Sequence, residues 1–173
     1  MRDVDRQLLR IYLSDHVAGA TAGAGRIERM ARAYADTPLG PSLADIAAQI
    51  AGEREWLIDT AASLGVHLAR WKQAGLWVGE RVGRLKTNGR VVRTSPLTAL
   101  LELELMRSAV VGKRSCWQTL LEWSGELGIS PQRLDELTVA ADQQIAELDR
   151  LATIARRRAL LDDRTAPLRS AGG

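Results

Sequence analysis

Several residue types that mark particular classes of protein are scarce in this sequence. There is one cysteine, Cys116, so no disulfide can form within the chain, and this excludes a small disulfide-stapled fold. No uninterrupted run of about 18 apolar residues is present, which excludes a helix that spans a bilayer. The N-terminal stretch also lacks the apolar segment of a secretory signal peptide. We therefore expect a cytoplasmic protein with no membrane segment.

Phenylalanine is absent altogether, so leucine, alanine, valine, isoleucine and five tryptophans must fill the core. Apolar residues make up 46% of the chain and charged residues 26%, which is typical of a globular protein and argues against disorder. The net charge of +3 neither requires nor excludes a polyanionic partner. A length of 173 residues fits one domain. We expect a single domain over 1–164 and a flexible tail over 165–173.

Apolar residues that recur every three or four positions predict five helices. Local signals mark their ends: Pro38 and Pro41 separate the first two helices, while Gly128 and Pro131 separate the last two. Long helices joined by short turns fold back as antiparallel neighbours, so the sequence predicts an all-α, up-and-down antiparallel bundle. The predicted helices cover 8–34, 42–64, 68–86, 96–127 and 131–160.

Acidic residues and one histidine interrupt the apolar stripes of the long helices. Carboxylates that face a core are costly unless they are paired or bind a metal, so acids on separate helices suggest a di-iron centre. A complete centre needs a Glu-x-x-His pair on each of two helices, and Glu53 is followed three residues later by Trp56 instead. Alternatively, these acids pair with Arg54, Arg107 or Lys113 at helix edges. The candidate ligands for iron or manganese are Asp15, His16, Glu53, Glu102 and Glu104.

The first predicted helix is unusually rich in glycine, with Gly19, Gly23 and Gly25 within two turns. These glycines would destabilise an isolated helix by a few kcal/mol, so a compensating reason is expected. Small residues let a neighbouring helix approach closely, which is the simpler interpretation. The alternative is that they leave room for a ligand beside His16.

A basic segment around the Asn88-Gly89 turn is a second candidate surface. Its cations could contact phosphates, and Trp71 and Trp77 could stack on bases. No helix-turn-helix spacing accompanies the segment, so a solvated face is the simpler interpretation and we do not expect a nucleic-acid partner. The cations are Arg81, Arg84, Lys86, Arg90 and Arg93.

Three segments of the chain resemble an uncharacterised actinobacterial family of small helical-bundle proteins. The segments are 12–23, 82–90 and 95–104, and the resemblance covers most of the chain. It implies a ferritin-like bundle with no assigned activity. It also implies that the Asp15-His16 pair and the Glu102 and Glu104 carboxylates belong together.

No polar constellation in the sequence completes a catalytic set. Neither a glycine-rich phosphate loop after a strand nor a Gly-x-Ser-x-Gly elbow is present. Cys116 has no nearby histidine to activate it and is expected to be a small buried residue. We therefore expect a structural or interaction role, compatible with a homo-oligomer, and the alternative is a metal-dependent oxidase.

Overall fold

A computed structural model of the chain describes residues 3–66 and 96–161, and within these ranges the protein is all-helical. This confirms the all-α part of the predicted fold class. The predicted helix over 68–86 and the predicted tail over 165–173 lie outside the described residues. The helices are α1 (Arg6–Ala33), α2 (Gly40–Ser63), α3 (Pro96–Glu122), the short α4 (Ser124–Leu127) and α5 (Pro131–Arg156).

Side-chain caps fix where α1 and α5 begin. The Asp5 carboxylate accepts hydrogen bonds from the backbone N–H groups of Gln7 at 2.8 Å and Leu8 at 3.1 Å. The Ser130 hydroxyl accepts one from the backbone N–H of Arg133 at 3.3 Å. Each cap satisfies a donor that has no partner inside its helix, so these two helix starts are determined by local sequence.

Helix α2 begins two residues before its predicted start at residue 42. Its first residue is Gly40, and the residue before it, Leu39, makes no side-chain capping hydrogen bond. The chain turns so tightly here that a Cβ on Gly40 would lie 2.4 Å from the carbonyl oxygen of Ala35. The predicted start was therefore wrong, because close backbone approach and not a side-chain cap decides it.

The connections and ion pairs show how neighbouring helices are directed. Helices α1 and α2 are joined only by residues 34–39, so they fold back on each other. Between α3 and α5, Glu104 meets Arg156 at 3.7 Å and Arg114 meets Asp142 at 2.6 Å. Because the early residue of α3 meets the late residue of α5, these two helices are antiparallel as well.

Helix α1 also runs antiparallel to α3. Near the end of α1, the Tyr34 hydroxyl donates a hydrogen bond to Glu102 at 3.0 Å, while Tyr12 near its start lies beside Thr119. Since α1 is antiparallel to both α2 and α3, those two helices run in the same direction. The end of α2 and the start of α3 therefore lie at opposite ends of the bundle, and residues 67–95 between them are outside the described ranges.

The four long helices enclose one apolar core. Leucine is its most frequent residue, and Trp117 is the largest fully buried side chain among the described residues. Within the described part of the chain, no helix is both long enough and apolar enough to cross a membrane. The fully buried side chains include Leu13, Ile27, Met30, Leu39, Leu43, Leu103, Met106, Leu120, Leu134, Leu137 and Leu148.

Candidate functional site

A closed network of polar side chains lies in the interior of the bundle. The Lys113 ammonium of α3 pairs with the Glu53 carboxylate of α2 and donates to Oε1 of Gln144 on α5. The Gln144 amide in turn donates to Glu53 Oε1 at 2.9 Å and to Gln49 Oε1 at 2.9 Å. The network ties three helices together, and its centre is shielded from solvent: only 6% of Glu53 and 2% of Gln144 are exposed, whereas Gln49 at its edge is exposed.

Removing charges from water is costly, and the network compensates for that cost with matched partners. Burial lowers the pKa of Lys113, and the adjacent Glu53 carboxylate opposes this shift. Both Glu53 oxygens accept hydrogen bonds, one from Lys113 and the other from Gln144. Removal of either member alone would therefore leave an unpaired charge inside the bundle and destabilise the fold.

A cavity of about 210 Å³ adjoins this network and lies between α1, α2 and α3. It is partly open, and its wall is mostly apolar. An apolar cavity of about 150 Å³ engineered into another protein binds benzene, so this cavity has room for a molecule with one small ring. Besides Glu53 and Lys113, its wall includes His16, Gly19, Gly23, Met106, Gly112 and Trp117.

The glycines at the cavity are not explained by tight helix packing. A Cβ on Gly19 or on Gly112 would meet no atom of the described residues within 4 Å. A Cβ on Gly23 would meet only Met106 Cε, at an ordinary 3.7 Å. The close helix approach that we expected is thus not seen at Gly19 within the described part of the chain, and the alternative, space beside His16, agrees with the cavity.

We expect Gly19→Ala to raise the free energy of unfolding by about 0.5–1 kcal/mol, because alanine is the better helix former and its methyl group has space. As a matched control, Gly40→Ala should destabilise the protein by about 1–3 kcal/mol, because its methyl group would collide with backbone. Urea denaturation followed by circular dichroism measures both. Equal effects of the two substitutions would contradict the assignment of space at Gly19.

His16 faces the cavity from α1 and is half-buried. Its ring lies against that of Tyr12, with the ring centroids 4.4 Å apart. Burial lowers the pKa of His16 below its usual 6.5, and the neighbouring Asp15 carboxylate only partly opposes this. The imidazole is therefore uncharged near pH 7.

Three of the five candidate metal ligands border the cavity, and the other two lie elsewhere. Asp15 and His16 border the cavity at α1, and Glu53 borders it from α2 but is engaged by Lys113. Glu102 and Glu104 do not line it. Among the described residues, no three histidine, cysteine, aspartate or glutamate side chains lie close enough together to hold a metal ion.

Helix geometry explains why the two glutamates of α3 cannot join one site. Residues two apart on an α-helix point about 200° apart, so Glu102 and Glu104 face different neighbours. Glu102 accepts the Tyr34 hydrogen bond and lies 3.8 Å from Arg26, whereas Glu104 is exposed and lies 3.7 Å from Arg156. The iron or manganese centre therefore stays a prediction that this geometry does not support.

Cys116 is buried, as the sequence predicted, with 1% of its surface exposed. Burial raises the pKa of its thiol to about 12, while a hydrogen bond with Tyr12 acts in the opposite direction. Because the thiolate is the reactive form, we expect almost no reaction with Ellman's reagent in the native protein and one thiol per chain in denaturant. Rapid labelling of the native protein would show that this side chain is accessible.

The basic candidate surface lies outside the described residues. This applies to Arg81, Arg84, Lys86, Arg90 and Arg93, and also to Trp71 and Trp77. Nucleic-acid binding through this segment therefore stays a prediction of the sequence, and no structural observation bears on it.

Comparison of the chain with protein-family models, with curated proteins and with solved structures gave no match. The family resemblance noted from the sequence therefore stays a prediction.

Proposed function

We propose that this chain is a ferritin-like helical bundle that acts as a binding protein and holds a small molecule in the partly open cavity between α1, α2 and α3. The directions of the four long helices support the ferritin-like part of the proposal. Within the described residues the long helices run up, down, down and up, an order that ferritin-like bundles share. This replaces a purely structural role with a binding role and requires no catalytic set.

The cavity between α1, α2 and α3 is the observation that carries the proposal. The cavity is partly open, so atoms of its mostly apolar wall lack packing contacts and are exposed to water, which costs stability. Three glycines border this space, and each lowers helix stability relative to alanine. A site that combines both costs is better explained by a ligand than by packing, because a bound molecule would restore the missing contacts.

Titration of the full chain with benzyl alcohol, followed by NMR chemical shifts, tests the proposal. Gly19→Leu should weaken binding at least about tenfold, because the new side chain occupies the cavity. Gly52→Leu is the matched control: it makes the same substitution on α2, away from the cavity wall and with no atom of the described residues within 4 Å of its Cβ.

The control variant should bind as tightly as the original chain. Absence of binding to the original chain, or equal affinities of the two leucine variants, would overturn the proposal. Circular dichroism of each variant shows whether it retains the helical fold.

A further inference from the structure

We propose that the ligand is an uncharged, mostly apolar molecule with one oxygen acceptor, such as a small alcohol, aldehyde or ketone, and that the Lys113 ammonium binds that oxygen. This inference rests on the proposed function, since it names the class of molecule that the cavity holds. It depends on three observations: the free donor of Lys113, the balance of charge around the cavity, and the apolar character of the remaining wall.

Lys113 has one hydrogen-bond donor left over. An ammonium group carries three N–H bonds. One is directed to Glu53 and a second to Oε1 of Gln144. The third has no acceptor among the described residues, although the Lys113 side chain is only 12% exposed and lines the cavity. An oxygen on a bound molecule would satisfy it.

The charges around the cavity already balance. Asp15 and Glu53 contribute two negative charges, Arg54 and Lys113 two positive charges, and His16 is neutral near pH 7. A carboxylate or an ammonium on the ligand would add a charge without a counterpart in a mostly apolar space, which is costly. An uncharged polar group avoids that cost.

The remaining wall selects for an apolar body. Met106, Leu57, Ile50 and Val110 border the space together with Trp117. Ligand atoms beyond the oxygen are therefore best apolar, and burial of their surface supplies most of the affinity.

A series of ligands with the same ring tests the inference. Toluene, benzyl alcohol, benzoate and benzylamine differ only in the group attached to the ring, and at pH 7 the last two carry opposite charges. We expect benzyl alcohol to bind the full chain about tenfold more tightly than toluene, as one added hydrogen bond to a charged group allows. Benzoate and benzylamine should both bind at least about tenfold more weakly than the alcohol.

A double variant, Glu53→Gln with Lys113→Met, removes both charges and the anchoring donor without leaving either charge unpaired. It should bind toluene as the original chain does and should lose the preference for benzyl alcohol. The wild-type ligand series is informative even if this variant does not fold.

The outcomes separate the two proposals. Toluene binding without a preference for the alcohol overturns the ligand class and leaves the binding function standing. Tightest binding of benzoate or benzylamine also overturns the ligand class. Failure of every ligand to bind overturns both proposals. Preferential binding of the alcohol that survives in the double variant shows that Lys113 is not the anchor.

Discussion

Replacing Lys113 with alanine is expected to lower the free energy of unfolding by about 3–5 kcal/mol, because the substitution leaves a buried carboxylate without its counter-charge. Glu53 is 6% exposed, and Gln144, which also accepts a hydrogen bond from Lys113, is 2% exposed. Water cannot reach these groups readily enough to replace the lost partner. Urea denaturation followed by circular dichroism measures the change.

The same measurement with both charges removed separates two quantities: the cost of leaving one charge unpaired and the contribution of the ion pair to the free energy of unfolding. Glu53→Gln combined with Lys113→Met should restore most of the lost stability, because a buried ion pair is often close to neutral relative to uncharged residues of similar size. Arg114→Ala is the matched control on α3, since its partner Asp142 is more than half exposed. That control should cost less than about 1 kcal/mol.

A loss with Lys113→Ala no greater than the loss with Arg114→Ala would show that the interior network contributes little. A double variant as unstable as Lys113→Ala would show that the network stabilises through its geometry and not through charge balance. Either result would contradict the role assigned to the Glu53–Lys113 ion pair.

Replacing Trp117 with alanine should be similarly damaging, with a loss of about 3–5 kcal/mol in the free energy of unfolding. Trp117 is 1% exposed, and its ring meets that of Trp56 edge-on with centroids 5.5 Å apart. The substitution removes a large apolar surface and leaves a hole where the cavity already reduces packing. Thermal and urea unfolding both report the loss.

Two further substitutions give the comparison. Trp117→Phe should cost clearly less than the alanine change, because it keeps an aromatic ring and removes an indole N–H that has no acceptor in the described residues. Trp56→Ala should also cost less, since Trp56 is only half-buried. Equal losses at Trp56 and Trp117 would mean that Trp117 is not part of the central core.

Much of the fold could be predicted from the sequence because helix formation depends on near neighbours. The cap at Ser130, followed by proline, marked the start of α5 correctly. Not every apolar residue of α1 faces the core: Leu8 is 64% exposed, whereas Leu13 and Val17 are fully buried. Periodicity shows that a helix has an apolar face, but the neighbouring helices decide which residues of that face are buried.

The candidate site was only partly predictable, because the sequence shows that a helix has an apolar face but not which helices pack against it. Glu53 was identified as an acid on an apolar stripe, and the structure places it inside the bundle. Gln144 was not selected, although it lies between the buried residues Ala141 and Leu148 at helical spacing. A polar residue at that position was the available signal for a buried polar group.

The sequence by itself determined that the described residues are helical, where α3 and α5 begin, and which acid lies on an apolar face, because these properties depend on residues within a few turns. Only the tertiary structure decided that Glu53 meets Lys113, 60 residues away. It also decided that the glycines of α1 border a cavity. Both outcomes depend on the direction and spacing of helices that pack together from distant parts of the chain, and local sequence does not encode either quantity.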